Sequence, residues 1–345
     1  QWAIRQGDGS VTPMALGYEP PSTDDLGQDS STTVLSAQPM FLPDATDQKY
    51  QQRLLVIIMD YSACGLPASL TEAAARTVFL GANGDGRGGA AQKYEQCSYG
   101  KLLLNATAFT AVTVNVSSCP PFTHYTYILP PGLKCPASAG TVGPGAQHTW
   151  LQTSAYGVGR WASILSATLH NYGGLMDSYN ILSSYLDLSS PTGAGDVCPN
   201  AAELAYLGWA TPAQGANQVD SRALPVGAAL SFNLPATYLT PNGTYIRVVP
   251  DWLPTYSNIT LAKNLYIAVR VNKGGDALLW PGLANKVHVH EVSASLRGTY
   301  LIGATMSLSQ VVLSNYNLVV YGGSWIGTDI LRVHICRYRS APQEC

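Results

Sequence analysis

The stretch Ser166-Ala167-Thr168-Leu169-His170-Asn171-Tyr172-Gly173-Gly174-Leu175-Met176-Asp177-Ser178 decides how this chain is read. It fits the frame of a zinc-binding helix, H-E-x-x-H-x-x-G-x-x-H. In that frame two histidines one turn apart hold the metal, and the Glu beside the first is the general base. His170 takes the place of the second histidine and Gly173 that of the glycine ending the helix. Ser166 stands where the first histidine belongs, and Ala167 where the base belongs. The third ligand falls on Met176 or, with a one-residue slip at Gly174, on Asp177. The helix is read from about Gly159, with Ile164, Leu165, Thr168 and Leu169 as one apolar stripe.

Zinc catalysis of this kind needs three protein ligands, an open position and a carboxylate to take the proton of bound water. Ser166 removes one imidazole. Met176 offers a soft thioether that favours other metals. His170 with Asp177 would hold zinc poorly, and Ala167 takes no part in proton transfer. The residues therefore predict no bound metal, no cofactor and no catalytic group.

Further motifs follow in order on both sides. Tyr185-Leu-Asp187-Leu-Ser-Ser-Pro-Thr192-Gly193 comes next, then Cys198-Pro-Asn200 and Leu207-Gly-Trp209. Upstream lie Arg53-Leu-Leu-Val-Ile-Ile-Met-Asp60, Cys64-Gly-Leu66, Val78-Phe-Leu80 and Cys97-Ser-Tyr-Gly-Lys101; Gly327-Thr-Asp-Ile-Leu-Arg-Val-His-Ile-Cys336-Arg lies near the end. From about residue 50 to the C-terminus this series resembles the gametolysin family, secreted metzincin-type metalloproteases of green-algal extracellular matrix. The family pattern is close to H-E-x-G-H-N-x-G-x-x-H-S, followed by a Y-G-D-x-x-x-x-M-G Met-turn, a cysteine and "LGW". Thr192 stands where the Met-turn methionine belongs. The resemblance implies a zincin-like α/β domain and an extracellular matrix, cell-wall or ciliary-surface location. It also implies hydroxyproline-rich glycoprotein partners, whose chains adopt polyproline II.

Composition agrees with a secreted, compact protein. A chain of 345 residues with 46% hydrophobic content can bury a large core. Only 12% of residues are charged and the net charge is −2, so no basic field attracts nucleic acid or an anionic membrane. No apolar run approaches the roughly 18–20 residues of a membrane span. The chain opens at Gln1 with no signal peptide, as expected of a processed form. The seven cysteines, Cys64, Cys97, Cys119, Cys135, Cys198, Cys336 and Cys345, are scattered without a C-x-x-C pair. Cys119 with Cys135 and Cys336 with Cys345 are candidate short-range bridges, the rest of the connectivity being open. Sequons at Asn105, Asn115, Asn242 and Asn258 beside those cysteines point to an oxidising secretory route.

Three segments are expected. Residues 1–48, rich in Ser, Thr, Pro, Asp and Gly, read as an extended arm that takes its order from something else. Residues 49–220 read as the metzincin-like domain. The run Leu54–Met59 is its buried strand, and Glu72–Phe79 a helix capped by Ser69 or Thr71. Strands are expected over 94–104, 111–116 and 126–129, with 149–152 as the edge strand over the cleft. Residues 221–345 read as a β-sandwich, with strands near 226–232, 244–249, 264–271, 286–291 and 316–321. The boundary is placed near 215–225, and the whole is α+β.

Two other patterns carry little. Gly81-Ala-Asn-Gly-Asp-Gly-Arg-Gly-Gly89 lacks the Lys-Ser/Thr of a phosphate loop and the carboxylate order of a calcium loop, and reads as a surface turn. His288-x-His290 puts two imidazoles on one strand face without a third ligand, which favours a solvent-facing or core-edge pair, with Glu291 on the other face. Two function classes result. The first is a non-catalytic glycoprotein that binds or builds, its ligand-cleft aromatics being Trp150, Tyr156, Trp161, Tyr172 and Tyr179. The second is an active metallopeptidase with a rearranged metal site.

Overall fold

The computed structural model describes residues 2–5, 11–14, 49–60, 67–114, 124–129, 139–141, 147–155, 157–173, 175, 178–180, 185–258, 261–293 and 298–345. Gln1–Gln38 and Pro39–Cys345 are two compact units. In the first, β1 (Trp2–Arg5) and β2 (Val11–Met14) pair antiparallel, so the expected extended arm contains a pair of strands.

The second unit begins with β3 (Tyr50–Gln52), β4 (Leu54–Met59), α1 (Glu72–Leu80), α2 (Gly89–Ser98) and β5 (Leu102–Leu104). Next come β6 (Thr110–Val114), β7 (His124–Leu129), β8 (Ala139–Thr141), β9 (His148–Gln152) and α3 (Trp161–Gly173). The continuous aliphatic run of β4 makes it an inner strand, flanked by parallel β6 and β7. The sheet order is β6-β4-β7-β9-β8, and only β8 runs antiparallel to its neighbour. The expectation that 149–152 forms the edge is thus corrected: β8 is the edge, its Ala-Gly-Thr too short and small to signal a strand.

Thr71 caps α1, its Oγ1 accepting from the Ala74 N–H at 3.1 Å, as the sequence indicates. The strand expected over 94–104 is corrected to α2, a turn and β5. Ala90, Ala91, Tyr94, Cys97 and Ser98 are buried at helical spacing, and this period overrides the apolar run that follows. The glycine-rich segment is the tight turn between α1 and α2. A Cβ on Gly81 (φ +85°) would lie 2.6 Å from the Cα of Gly88. Helices α1, α2 and α3 cover the sheet face that carries Leu54, Val56, Ile58, Ile128 and Leu151, forming the first core.

After α3 the chain forms β10 (Tyr179–Asn180), β11 (Tyr185–Leu186) and α4 (Ala201–Tyr206). Eight strands follow: β12 (Ala229–Pro235), β13 (Tyr245–Val248), β14 (Lys263–Arg270), β15 (Lys286–Ser293), β16 (Tyr300–Met306), β17 (Ser309–Leu313), β18 (Leu318–Ile326) and β19 (Ile330–Arg337). Together with β10 and β11 they form a six-stranded sheet, β11-β10-β16-β15-β14-β13, and a four-stranded sheet, β12-β19-β18-β17. The second core joins Leu265, Ile267, Val287 and Val289 of one sheet to Val320, Leu331, Val333 and Ile335 of the other. That is the sandwich the short alternating strands predict, and the fold is α+β. Core membership changes between Ala210 and Ala216. The two halves are nevertheless interlocked. β10 pairs in parallel with β16 across the expected boundary, and Tyr245 and Ala268 belong to the first core.

Candidate functional site

Arg160 fixes the start of α3, its Nε donating to Asp196 Oδ1 at 2.6 Å. The helix turns Ile164, Leu165, Leu169 and Tyr172 to the core. Thr168 Oγ1 donates to the Ile164 carbonyl at 2.9 Å and lies 2.6 Å from Tyr94 Oη, tying α3 to α2. Asn171 Nδ2 donates to Thr149 Oγ1 at 2.7 Å, tying α3 to β9. These anchors fix the rotation of the helix. Ser166 and His170, one turn apart, fall on a half-buried stripe, while Ala167 is 2% exposed and packs in the first core.

The described donors at this stripe are one hydroxyl and one imidazole. They do not make up the three-ligand set that zinc requires. Among the described residues no group of three or more His, Cys, Asp or Glu is placed to hold a metal ion. Met176 and Asp177 lie outside the described residues.

Thr192 is buried in a polar network. Its Oγ1 donates to Glu203 Oε1, and Ser190 Oγ donates to the two carboxylate oxygens at 2.8 and 2.6 Å. Asn200 caps α4, its Oδ1 accepting from the Ala202 and Glu203 N–H groups at 3.0 and 3.1 Å. Glu203 returns the contact by accepting from the Asn200 N–H at 2.7 Å, completing a capping box. Burial pushes the Glu203 carboxyl above its ordinary pKa, against the hydrogen bonds that favour its charge. Asp187 lies alongside. It accepts from Ser189 N–H and Oγ, both at 2.8 Å, from Ser178 Oγ at 3.0 Å and from His290 Nε2 at 3.0 Å. Burial alone would raise its pKa. His290, by hydrogen bond and charge, together with Ser189 outweighs that and holds it at about 2. Arg270 closes the network, pairing with Asp276 at 2.7 and 2.9 Å and donating to the Ser189 and Cys198 carbonyls at 3.0 Å.

Of the two alternatives for His288 and His290, solvent-facing or core-edge, the solvent-facing one is corrected here. Neither is solvent-facing, each being 1% exposed. His288 Nε2 donates to the Leu283 carbonyl at 2.7 Å, and burial lowers its pKa to about 3. Glu291 does face the other way, toward Lys263 and the Tyr316 hydroxyl. The sequence reading missed Glu203 and Arg270, and the roles of His290 and of Asp187, which it placed only within the Met-turn series. Asn200-Ala-Ala-Glu203 was a readable capping signature, whereas nothing marks an arginine inside an apolar strand as buried.

Among the described residues, the aromatics of the expected cluster do not come together. Tyr172 is a core residue, stacked on His124 with ring centroids 4.1 Å apart and its hydroxyl 3.0 Å from His124 Nδ1. Trp161 packs beside the first core under the Lys93 ammonium, 5.5 Å from the ring centroid. Tyr156 and the side chain of Tyr179 lie outside the described residues, although Tyr179 pairs with Tyr300 in the sheet. Trp150 lies on the sheet face opposite the helices, because Thr149 and Leu151 point inward. There it joins a half-buried ladder: Tyr125 and His148 stack at 5.1 Å, Tyr127 and His148 at 5.7 Å, and Tyr127 and Trp150 at 5.5 Å.

Among the sequons, Asn242 and Asn258 are exposed. Asn105 is half-buried with its Oδ1 accepting from the Ala108 N–H at 2.9 Å, and Asn115 lies outside the described residues. Cys336 is joined to Cys345 as expected. Cys97 is joined to Cys198 across 101 residues, a separation that spacing does not reveal. Cys64, Cys119 and Cys135 lie outside the described residues. Among the described residues no helix is long and apolar enough to cross a membrane.

Neither a curated protein nor a solved structure matches the chain. A family profile described as gametolysin peptidase M11 matches residues 53–121 and 119–314, from β4 through the α3 and Met-turn regions and into the sandwich. The chain belongs to the gametolysin M11 peptidase family.

Proposed function

We propose that this chain is a catalytically inactive member of its family and serves as a structural or binding glycoprotein in an extracellular assembly: matrix, cell wall or ciliary surface. The observation that carries this reading is Ala167. The position a general base would occupy holds a methyl group packed into the core beside a helix stripe with a single imidazole. Two disulfides suit an oxidising compartment, and the exposed Asn242 and Asn258 suit glycan transfer.

The ladder of Tyr125, Tyr127, His148 and Trp150 is the holding face, its partner an extended polyproline II chain such as a hydroxyproline-rich glycoprotein. Low charge leaves ring contacts and hydrogen bonds as the means of recognition. Elemental analysis of chelator-free protein, a peptidase assay and glycosidase treatment test the reading together. The expected result is no stoichiometric zinc, no cleavage and a mass drop on deglycosylation. One equivalent of zinc accompanied by peptide hydrolysis would instead establish an active peptidase with a rearranged site.

A further inference from the structure

A cavity of about 250 Å³ lies between the C-terminal end of α2 and the loops that follow β12 and β14. Its wall includes both sulfur-bearing residues of the Cys97–Cys198 bridge, together with Gln96, Tyr99, Thr237, Tyr238, Gly274 and Gly275. The volume equals that of roughly eight water molecules in the liquid, ample for a small organic molecule. No lining residue is charged, and the nearby carboxylate of Asp276 is paired with the Arg270 guanidinium. Gly275 packs directly on the bridge; a Cβ there would lie 2.2 Å from Cys198 Sγ, so any side chain would displace the sulfur. We propose that Cys97–Cys198 is a thiol-exchange site, reached from solvent by small aliphatic thiols while the protein remains folded.

Of the two cysteines Cys198 is the more exposed, at 6% against 2% for Cys97. The incoming thiolate attacks Cys198 Sγ and forms a mixed disulfide there. The Cys97–Cys198 bond breaks, and its electron pair leaves on Cys97 Sγ, which takes a proton from water. A second thiolate then attacks the mixed disulfide at the thiol-derived sulfur. This releases Cys198 as a thiol and the two reductant molecules as their own disulfide, so two electrons pass from two thiols to the bridge. The surroundings hold without the bridge. The Cys198 N–H donates to Asp276 Oδ1 at 3.0 Å, the Cys198 carbonyl accepts from Arg270 at 3.0 Å, and the Tyr99 hydroxyl donates to the Thr237 carbonyl. Exchange therefore removes the covalent tie between α2 and the segment before α4 and leaves its polar contacts in place.

The test uses the full chain, 2-mercaptoethanol without denaturant, alkylation at timed intervals and peptide mapping. Cys336–Cys345, whose Cys345 is exposed, serves as the internal reference. Labelling of Cys97 and Cys198 is expected at a rate proportional to thiol concentration, with the near-ultraviolet circular dichroism retained. Gln96 is exposed on α2 at the cavity wall, and Gln96→Trp should slow that labelling by about tenfold while leaving the reference bridge unchanged. A polymer-bound thiol, too large to enter, should reduce the reference bridge and spare Cys97–Cys198. Reaction only in unfolding concentrations of urea, or equal reaction with the polymer-bound thiol, would overturn the proposal.

Discussion

Ala167 places its methyl group in the first core, so a carboxylate at this position would be buried without a partner. Ala167→Glu should therefore cost about 3 kcal/mol in urea unfolding, from desolvation and overpacking together. A variant as stable as the parent would mean that the position opens onto a wet cleft, and would weaken the case for lost catalysis. His124 offers a second test. Burial, with a smaller push from His148, lowers its pKa from the ordinary 6.5 to about 4. Between those values the unfolded chain holds more protons than the folded one. Stability should then fall as pH drops from about 6.5 to about 4, by a share that His124→Phe abolishes. Comparing the unfolding midpoints of the two proteins across that range checks it; parallel curves would remove His124 from the account. Neither residue's environment was legible from its neighbours, since the burial of a single small or aromatic residue depends on helix rotation and sheet parity.

At the level of elements, the loop from β11 to α4 is held from inside by a carboxylate rather than by a buried thioether. Thr192, Ser190 and the Asn200 N–H all converge on Glu203. Glu203→Ala would leave these donors buried and unpaired, and should cost about 3 kcal/mol. Glu203→Gln keeps an acceptor and should cost less. The pH profile separates the two roles of the carboxyl. With the folded pKa raised above 4.5, the folded state holds the extra proton, so stability falls as pH rises through the window above 4.5. In Glu203→Gln that decline should disappear, as read by urea unfolding from pH 4.5 to 8. The sequence was clearest where a local signal coincided with burial. Thr71 and Glu72 marked the start of α1, and the unbroken aliphatic run of β4 marked an inner strand. It misled at Tyr94–Leu104, where an apolar run hid the join between a helix and a strand, and at β8, where three small residues leave no pattern. On α3 the half-buried stripe of Ser166 and His170 beside Ala167 was legible because the three lie close in sequence. The buried network was not, because Asp187, Glu203, Arg270 and His290 meet only in space.

Across the whole molecule, the change from helix-and-sheet to all-strand patterning near residue 220 was readable, but the continuity of the structure across it was not. Arg270, in the sandwich, binds carbonyls of Ser189 and Cys198, and β16 carries β10 and β11 at its edge. Residues 39–220 and 221–345 produced as separate chains should therefore each be poorly folded, and should recover native circular dichroism only when mixed. Two fragments that each unfold cooperatively on their own would show the halves to be independent. The β10–β16 pairing also bears on biosynthesis. Tyr179 and Asn180 meet Tyr300 and Leu301, which the ribosome adds much later. During synthesis the strand after α3 must wait unpaired while the polypeptide that completes its sheet is still being made. Such a high-contact-order closure is slow and leaves a strand edge open to stray pairing. Chaperone capture of the nascent chain should thus peak between emergence of residue 180 and that of residue 301, and decline once β16 has docked.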